Sequence, residues 1–155
     1  MSEYQPRLLV LDTSVAVKWH LEEENSEEAA RLLDAVGSLV SELLAPSTLQ
    51  PEFFNTLWQQ RRRGELSIEE VRQAWADFRA GEPATLYEPV DLMPRAAELV
   101  LETGVIIYDA LFLALAEYAD TAMITADDKL LRALKGTSYA HLAHSLAEID
   151  KLLRQ

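Results

Sequence analysis

The chain has 155 residues, 49% of them hydrophobic, with no cysteine and a formal net charge of −12. That length is one ordinary domain with ample apolar material for a core; lack of cysteine excludes disulfides and thiolate metal sites and fits a reducing cytoplasm. The charge argues against generic affinity for nucleic acid, which needs lysine and arginine, but leaves room for bound cations or a basic partner.

The opening MSEYQPRLLVLD has no basic segment followed by a long apolar stretch, so no signal peptide is expected. No apolar run approaches a membrane span. LLVLD (8–12) reads as a buried strand ending in an acid, and TSVAVKWHL then spreads its apolar positions as a helix does. Asn25 with Glu28 makes a capping pattern that opens a helix through about residue 35. LLAP (43–46) is a strand or an extended approach to the next helix, which runs from about Ser47 to Arg63 and stops at Gly64. Ser67 and Glu70 form a second capping box, opening IEEVRQAWADFRA. ATLYEP (84–89) reads as a strand, DLMPRAAELVLETG as a helix closed by Gly104, and DALFLALAEYA as a short helix apolar nearly all round, hence central. TAMIT (121–125) is a buried strand with a helix behind it over about 126–134, and Ser145 with Glu148 caps the last helix. Strands alternate with helices, which predicts an α/β fold: a mostly parallel sheet with helices on both faces, in a single domain spanning 1–155.

In such sheets ligands sit beyond the carboxyl ends of the strands, and two acids fall at that edge. Asp12 closes the first strand, where a helix N-cap and a ligand role are both open to it. Asp127 follows TAMIT. Thr125-Ala-Asp-Asp128 fits the [ST]-x-x-[DE] cap, with Thr125 capping and Asp128 reciprocating, so Asp127 is left free to bind something. Asp109 opens an all-apolar helix whose N-terminus is expected inside the protein or in a cleft. Glu52 lies on a polar stripe with Asn55 and Gln59, opposite Leu49, Phe53, Phe54, Leu57 and Trp58; a solvated face and a site are both open there. Four carboxylates with no cysteine and only three histidines suit hard cations such as Mg²⁺ or Mn²⁺. Without a cation, clustered acids repel and take up protons.

These segments resemble the PIN-domain ribonucleases, most closely the VapC-like toxins of toxin–antitoxin pairs. The resemblance covers nearly the whole chain and rests on LVLDTSVAVKWHLEEE, APSTLQPEFFNTLWQQRRRGELS and VIIYDALFLALAEYADTAMITADDKL. It implies a three-layer α/β/α fold and metal-dependent RNA cleavage, with Asp12, Glu52, Asp109 and Asp127 as the acids around one or two Mg²⁺ or Mn²⁺ ions. Ser14 and Thr125 would add hydroxyl contacts, Asn55 follows the second acid by three residues, and His20 stands where an aromatic is common. It also implies a homodimer held in check by a small antitoxin; Trp58, Trp75 and Phe78 are either the apolar surface for such pairing or core. Arg61, Arg62 and Arg63 are open to two roles, phosphate contact or closing a helix against its dipole. Two other classes are weighed. A haloacid-dehalogenase-type phosphatase needs a second aspartate where Ser14 stands, and no glycine-rich phosphate loop occurs. His141 and His144 show no nucleophile–base pattern. A PIN-fold module that is catalytically weak or inactive and acts by protein pairing is the alternative to an enzyme.

Overall fold

The computed structural model describes residues 5–154; residues 1–4, part of the segment on which the signal-peptide reading rests, and 155 lie outside them. Five strands form one parallel sheet: β1 (Arg7–Leu11), β2 (Ser41–Pro46), β3 (Ala84–Tyr87), β4 (Met123–Thr125) and β5 (Ala143–Ser145), in the order β3-β2-β1-β4-β5. LLAP is therefore an inner strand, paired on both sides. It reads as nearly continuous apolar sequence because both its faces are covered. The three-residue β5 has no counterpart in the sequence reading; Ala-His-Ser carries no strand signal, and its pairing to β4 depends on the sheet already being there.

Among the described residues eight α-helices connect and flank the strands: α1 (Thr13–Ala16), α2 (Ser26–Gly37), α3 (Leu49–Arg62), α4 (Ile68–Ala80), α5 (Pro89–Thr103), α6 (Ile107–Tyr118), α7 (Asp128–Leu134) and α8 (Ile149–Leu153). TSVAVKWHL splits into α1 and a 3₁₀ turn over Val17–Trp19. The chain moves one way across the sheet from β1 through β3 and then returns past β1 to β4. Right-handed crossovers put α2 on one face and α5 and α6 on the other, giving three layers. α6 lies across β1, β2 and β4, and α5 packs on α6. From Ala110 to Ala116 every residue of α6 is buried, which is why its sequence shows no polar face. The apolar core runs from Leu9 to Leu152.

Three capping expectations meet different outcomes. Ser67 and Glu70 close the box at α4 as written: Ser67 Oγ accepts from Glu70 N–H at 3.1 Å, and Glu70 Oε1 accepts from Ser67 N–H at 3.0 Å. Asn25 does not cap α2; it sits at φ 64° and its side chain makes no capping bond. An N-cap residue ordinarily has extended backbone, which Asn25 lacks, and Ser26 Oγ accepts from Glu23 N–H at 2.9 Å. Ser145 caps the short 3₁₀ turn Leu146–Glu148, with α8 beginning only after it. At the helix exits Gly64 and Gly104 take φ 79° and 76°, the left-handed conformation their positions call for.

Of the apolar residues on the α3–α4 hairpin, Phe78 is core, Trp75 is half-buried and Trp58 is 47% exposed. Phe53 stacks on Phe78 at 4.0 Å, and the half-buried His20 stands edge-on to both. Burial in this aromatic cluster lowers the His20 pKa, with Asp77 opposing. Among the described residues no single helix is long and apolar enough to cross a membrane.

Candidate active site

Asp12 follows β1 and Asp127 follows β4, and these two strands are neighbours running in parallel. The connection out of β1 leads to β2 on one side, while β4 lies on the other. The carboxyl ends of β1 and β4 thus flank the point where the strand order reverses, the place where open α/β sheets form a crevice. A cleft of about 520 Å³ opens there. Its walls hold Asp12, Ser14, Glu52, Asn55, Asp109 and Asp127, so all four acids singled out in the sequence share one cavity.

Each acid arrives from a different element. Asp12 is only 7% exposed. It occupies the N-cap position of α1 without making a side-chain cap. Its Oδ2 instead accepts from Ser14 Oγ at 2.6 Å and from Thr125 Oγ1 at 2.7 Å. Ser14 Oγ in turn accepts from Ala126 N–H at 2.9 Å. These bonds tie the end of β1 to the end of β4. Burial raises the pKa of Asp12; the two hydroxyls oppose that, and Asp127 adds to it.

Glu52 is in the first turn of α3. It is not on a solvated face: burial, then the nearby charges of Asp12 and Asp109, raises its pKa to about 7. The hydroxyls of Thr48 and Thr13 lie near enough to offset this in part, yet neither reaches hydrogen-bond geometry, and Glu52 Oε2 is buried with no partner. Asp109 is the third residue of α6 and does not cap it; Ile106 holds the N-cap position, with no side-chain cap. Burial first, then Asp12 and Asp127, raises its pKa to about 6, with Lys129 pulling the other way.

Asp127 corrects an expectation. It, not Thr125, is the N-cap of α7: its Oδ1 accepts from Lys129 N–H at 3.0 Å and Leu130 N–H at 3.2 Å. Thr125 is fully buried in β4; its hydroxyl donates to Asp12 and accepts from Asp127 N–H at 3.0 Å. Asp128 is simply the first, exposed residue of the helix. Asp127 still lines the cleft, because its capping bonds all fall on one carboxylate oxygen.

Of the three arginines only Arg63 lines the cleft. Arg61 reaches the Leu66 carbonyl at 3.4 Å, closing the helix end, and Arg62 is exposed. The cleft also holds Lys18, Glu23 and Gln60, which the sequence reading passed over. They lie outside any acidic or hydroxyl motif, and only the fold brings them to this edge.

The donor chemistry fits a hard cation. The lining oxygens are carboxylates and hydroxyls, one buried carboxylate oxygen is orphaned, and three of the acids have raised pKa values from burial and mutual repulsion. As the side chains stand, no three of them converge to ligate a single ion among the described residues. The acids share a cleft rather than form a finished cage.

The pattern that defines the PIN domain matches residues 9–135. Ribonuclease VapC3 of Pyrobaculum aerophilum is 32% identical over 126 residues, covering 79% of this chain and 91% of that protein. Among solved structures, one from Pyrobaculum aerophilum superposes with a TM-score of 0.67 at 18% identity, covering 97% of this chain and 91% of its own. A toxin–antitoxin complex from Klebsiella pneumoniae gives 0.57 at 16%, over 89% and 97%. VapBC2 of Rickettsia felis, bound to a DNA fragment from its promoter, gives 0.58 at 12%, over 89% and 98%. At those identities the three structures attest the fold.

Proposed function

The chain belongs to the PIN-domain family, and on that premise we propose that it is a divalent-metal-dependent endoribonuclease, acting as a single domain and serving as the toxin of a toxin–antitoxin pair. The observation that carries this reading is the cleft itself: four carboxylates from four elements at the point where the strand order reverses, three of them held at raised pKa. Asp12, Glu52 and Asp109 would hold Mg²⁺ or Mn²⁺, with Asp127 beside them. Such an ion supplies an activated water for attack on a phosphodiester and offsets charge developing on the phosphate.

The chain's own residues have separable tasks in that reading. Thr125 and Ser14 hold the Asp12 carboxylate in one orientation. Glu52 brings a buried oxygen that has no hydrogen-bond partner and would be free to meet a cation. Asp127 is held by the N-terminus of α7 with one oxygen left for the cleft. Asn55, three residues after Glu52 on α3, offers an amide to the RNA. Arg63 offers a cation to its phosphates.

The name of the curated relative supports the substrate, and the names of two structural neighbours support an antitoxin partner. Phe54 and Trp58, exposed on α3, supply apolar area for pairing with a second copy. The test is incubation of the purified, partner-free protein with total RNA in Mg²⁺ or Mn²⁺, followed by mapping of the cut ends. Discrete cuts that vanish with chelator support the reading. Intact RNA under all conditions, with antitoxin binding retained, would make the protein a binding module instead.

A further inference from the structure

A cleft that takes RNA must offset more charge than a metal at four carboxylates supplies. Its lining carries five carboxylates against two cations, Lys18 and Arg63, in a chain of net charge −12. Both cations are already engaged by glutamates outside the group of four. Lys18 Nζ donates to Glu23 Oε1 at 3.3 Å, and Arg63 Nε donates to Glu65 Oε1 at 3.1 Å.

Lys18 is not an ordinary surface lysine. Its side chain is only 9% exposed, against 32% for Glu23. The stem is packed in the turn that follows α1, six residues after Asp12, and the residue lines the cleft. Of its three N–H donors, one has a protein partner among the described residues. That contact is longer than the 2.7–2.9 Å of a tight charge-assisted bond. Pairs of this kind contribute little to stability, so exchanging Glu23 for another anion costs the fold little.

We propose that Lys18 is a phosphate-binding residue of the cleft and that Glu23 occupies its ammonium group until an RNA phosphate displaces it, with Arg63 and Glu65 as a second such pair. The inference rests on the ribonuclease reading. Lys18 lies on the β1 side of the cleft and Arg63 at the end of α3. Glu23, Arg63 and Glu65 also line one adjoining hollow, so the two pairs would grip the strand next to one another, and the glutamates would set the threshold for entry.

The discriminating feature is sign. If the Lys18–Glu23 pair only braces the loop before α2, Lys18→Gln and Glu23→Gln break the same contact and act alike. If Lys18 binds phosphate, they act in opposite directions. The measurement is the affinity for a fluorescein-labelled single-stranded RNA in Mg²⁺, as a function of salt, in the Asp109→Asn background so that the probe stays whole. Lys18→Gln and Arg63→Gln should each weaken binding and lower the slope of log Kd against log salt by about 0.7, the value for one phosphate contact on a single strand. Glu23→Gln should tighten binding roughly two- to fivefold, the size of an exposed ion pair. Binding weakened by Glu23→Gln, or a salt slope unchanged in Lys18→Gln, overturns this inference while leaving the nuclease reading standing. No RNA binding by the parent protein at low salt overturns both.

Discussion

At the scale of single residues, the four acids are not interchangeable, and their surroundings say what each substitution does. Asp12→Asn and Asp109→Asn each remove a charge from a site short of cations while keeping the side chain's shape. Both are expected to abolish Mg²⁺-dependent RNA cleavage, with a melting temperature that holds or rises because like charges no longer repel. Asp127 does two jobs that can be separated. Asp127→Ala loses the α7 cap, at a cost of about 0.5–2 kcal/mol, and also loses turnover. Asp127→Ser restores a capping oxygen without restoring the charge, so stability should recover and cleavage should not. Asp128→Ala, at an exposed first-turn position, should leave cleavage intact and stability nearly so. Thermal melts beside a cleavage assay on these three variants decide the assignment; a stability loss confined to Asp128→Ala would contradict it. The pH dependence of the metal-free protein has a definite sign. Glu52 and Asp109 bind protons more tightly folded than unfolded, with folded pKa values of about 7 and about 6. Their unfavourable contribution is absent at low pH and appears as pH rises from the ordinary carboxylate range through those values. In chelator, the melting temperature should therefore be higher near pH 5.5 than near pH 8, and Mg²⁺ should recover more of it at pH 8. A melting temperature independent of pH over that window would show that neither burial nor the neighbouring acids raise these pKa values.

At the scale of elements, what could be read in advance depends on how local the cause is. The Ser67–Glu70 box is complete within four residues, and the structure forms it as read. Ser67→Ala should cost about 1 kcal/mol and leave cleavage unchanged, since α4 contributes nothing to the cleft lining; lost cleavage at full stability would place α4 in the site. The helix α6 is legible because complete burial leaves an unbroken apolar run. Leu113→Ala there should cost about 2–5 kcal/mol, measurable in denaturant. The cap of α7 is not legible. Thr125 fits the capping pattern, but its hydroxyl is claimed by Asp12 from 113 residues away, and no local pattern registers that competition. The strand β5 is hidden for a similar reason: three residues gain their conformation from β4. The site divides the same way. Asp12, Asp109 and Asp127 stand out because acids beside apolar runs demand an explanation; Glu52, on a polar stripe of α3, stands out only through the family resemblance. Lys18 and Glu23 do not, because a lysine and a glutamate five apart on a polar turn look like solvated charge until the fold turns them into a cleft.

At the scale of the whole molecule, the sheet order explains why one cleft collects all of this. The first and fourth strands are side by side while their connections depart in opposite directions, so the crevice at the sheet edge receives Asp12 and Asp127 directly, and α3 and α6 deliver Glu52 and Asp109 to it. The proposed pairing with a second copy assigns the exposed aromatics of α3, Phe54 and Trp58, to the contact. Phe54→Glu with Trp58→Glu should convert a dimer to a monomer in light scattering without lowering the melting temperature of the subunit; an unaltered chain that is monomeric at every concentration would remove the dimer from the account. The central claim, that the four carboxylates form a metal-dependent nuclease site, is tested most directly by mapping RNA cut ends after incubation with the unaltered protein and with Asp109→Asn, each in Mg²⁺ and in chelator. The account predicts discrete cuts only with the unaltered protein in Mg²⁺. Equal cutting in chelator, or by Asp109→Asn, would contradict it.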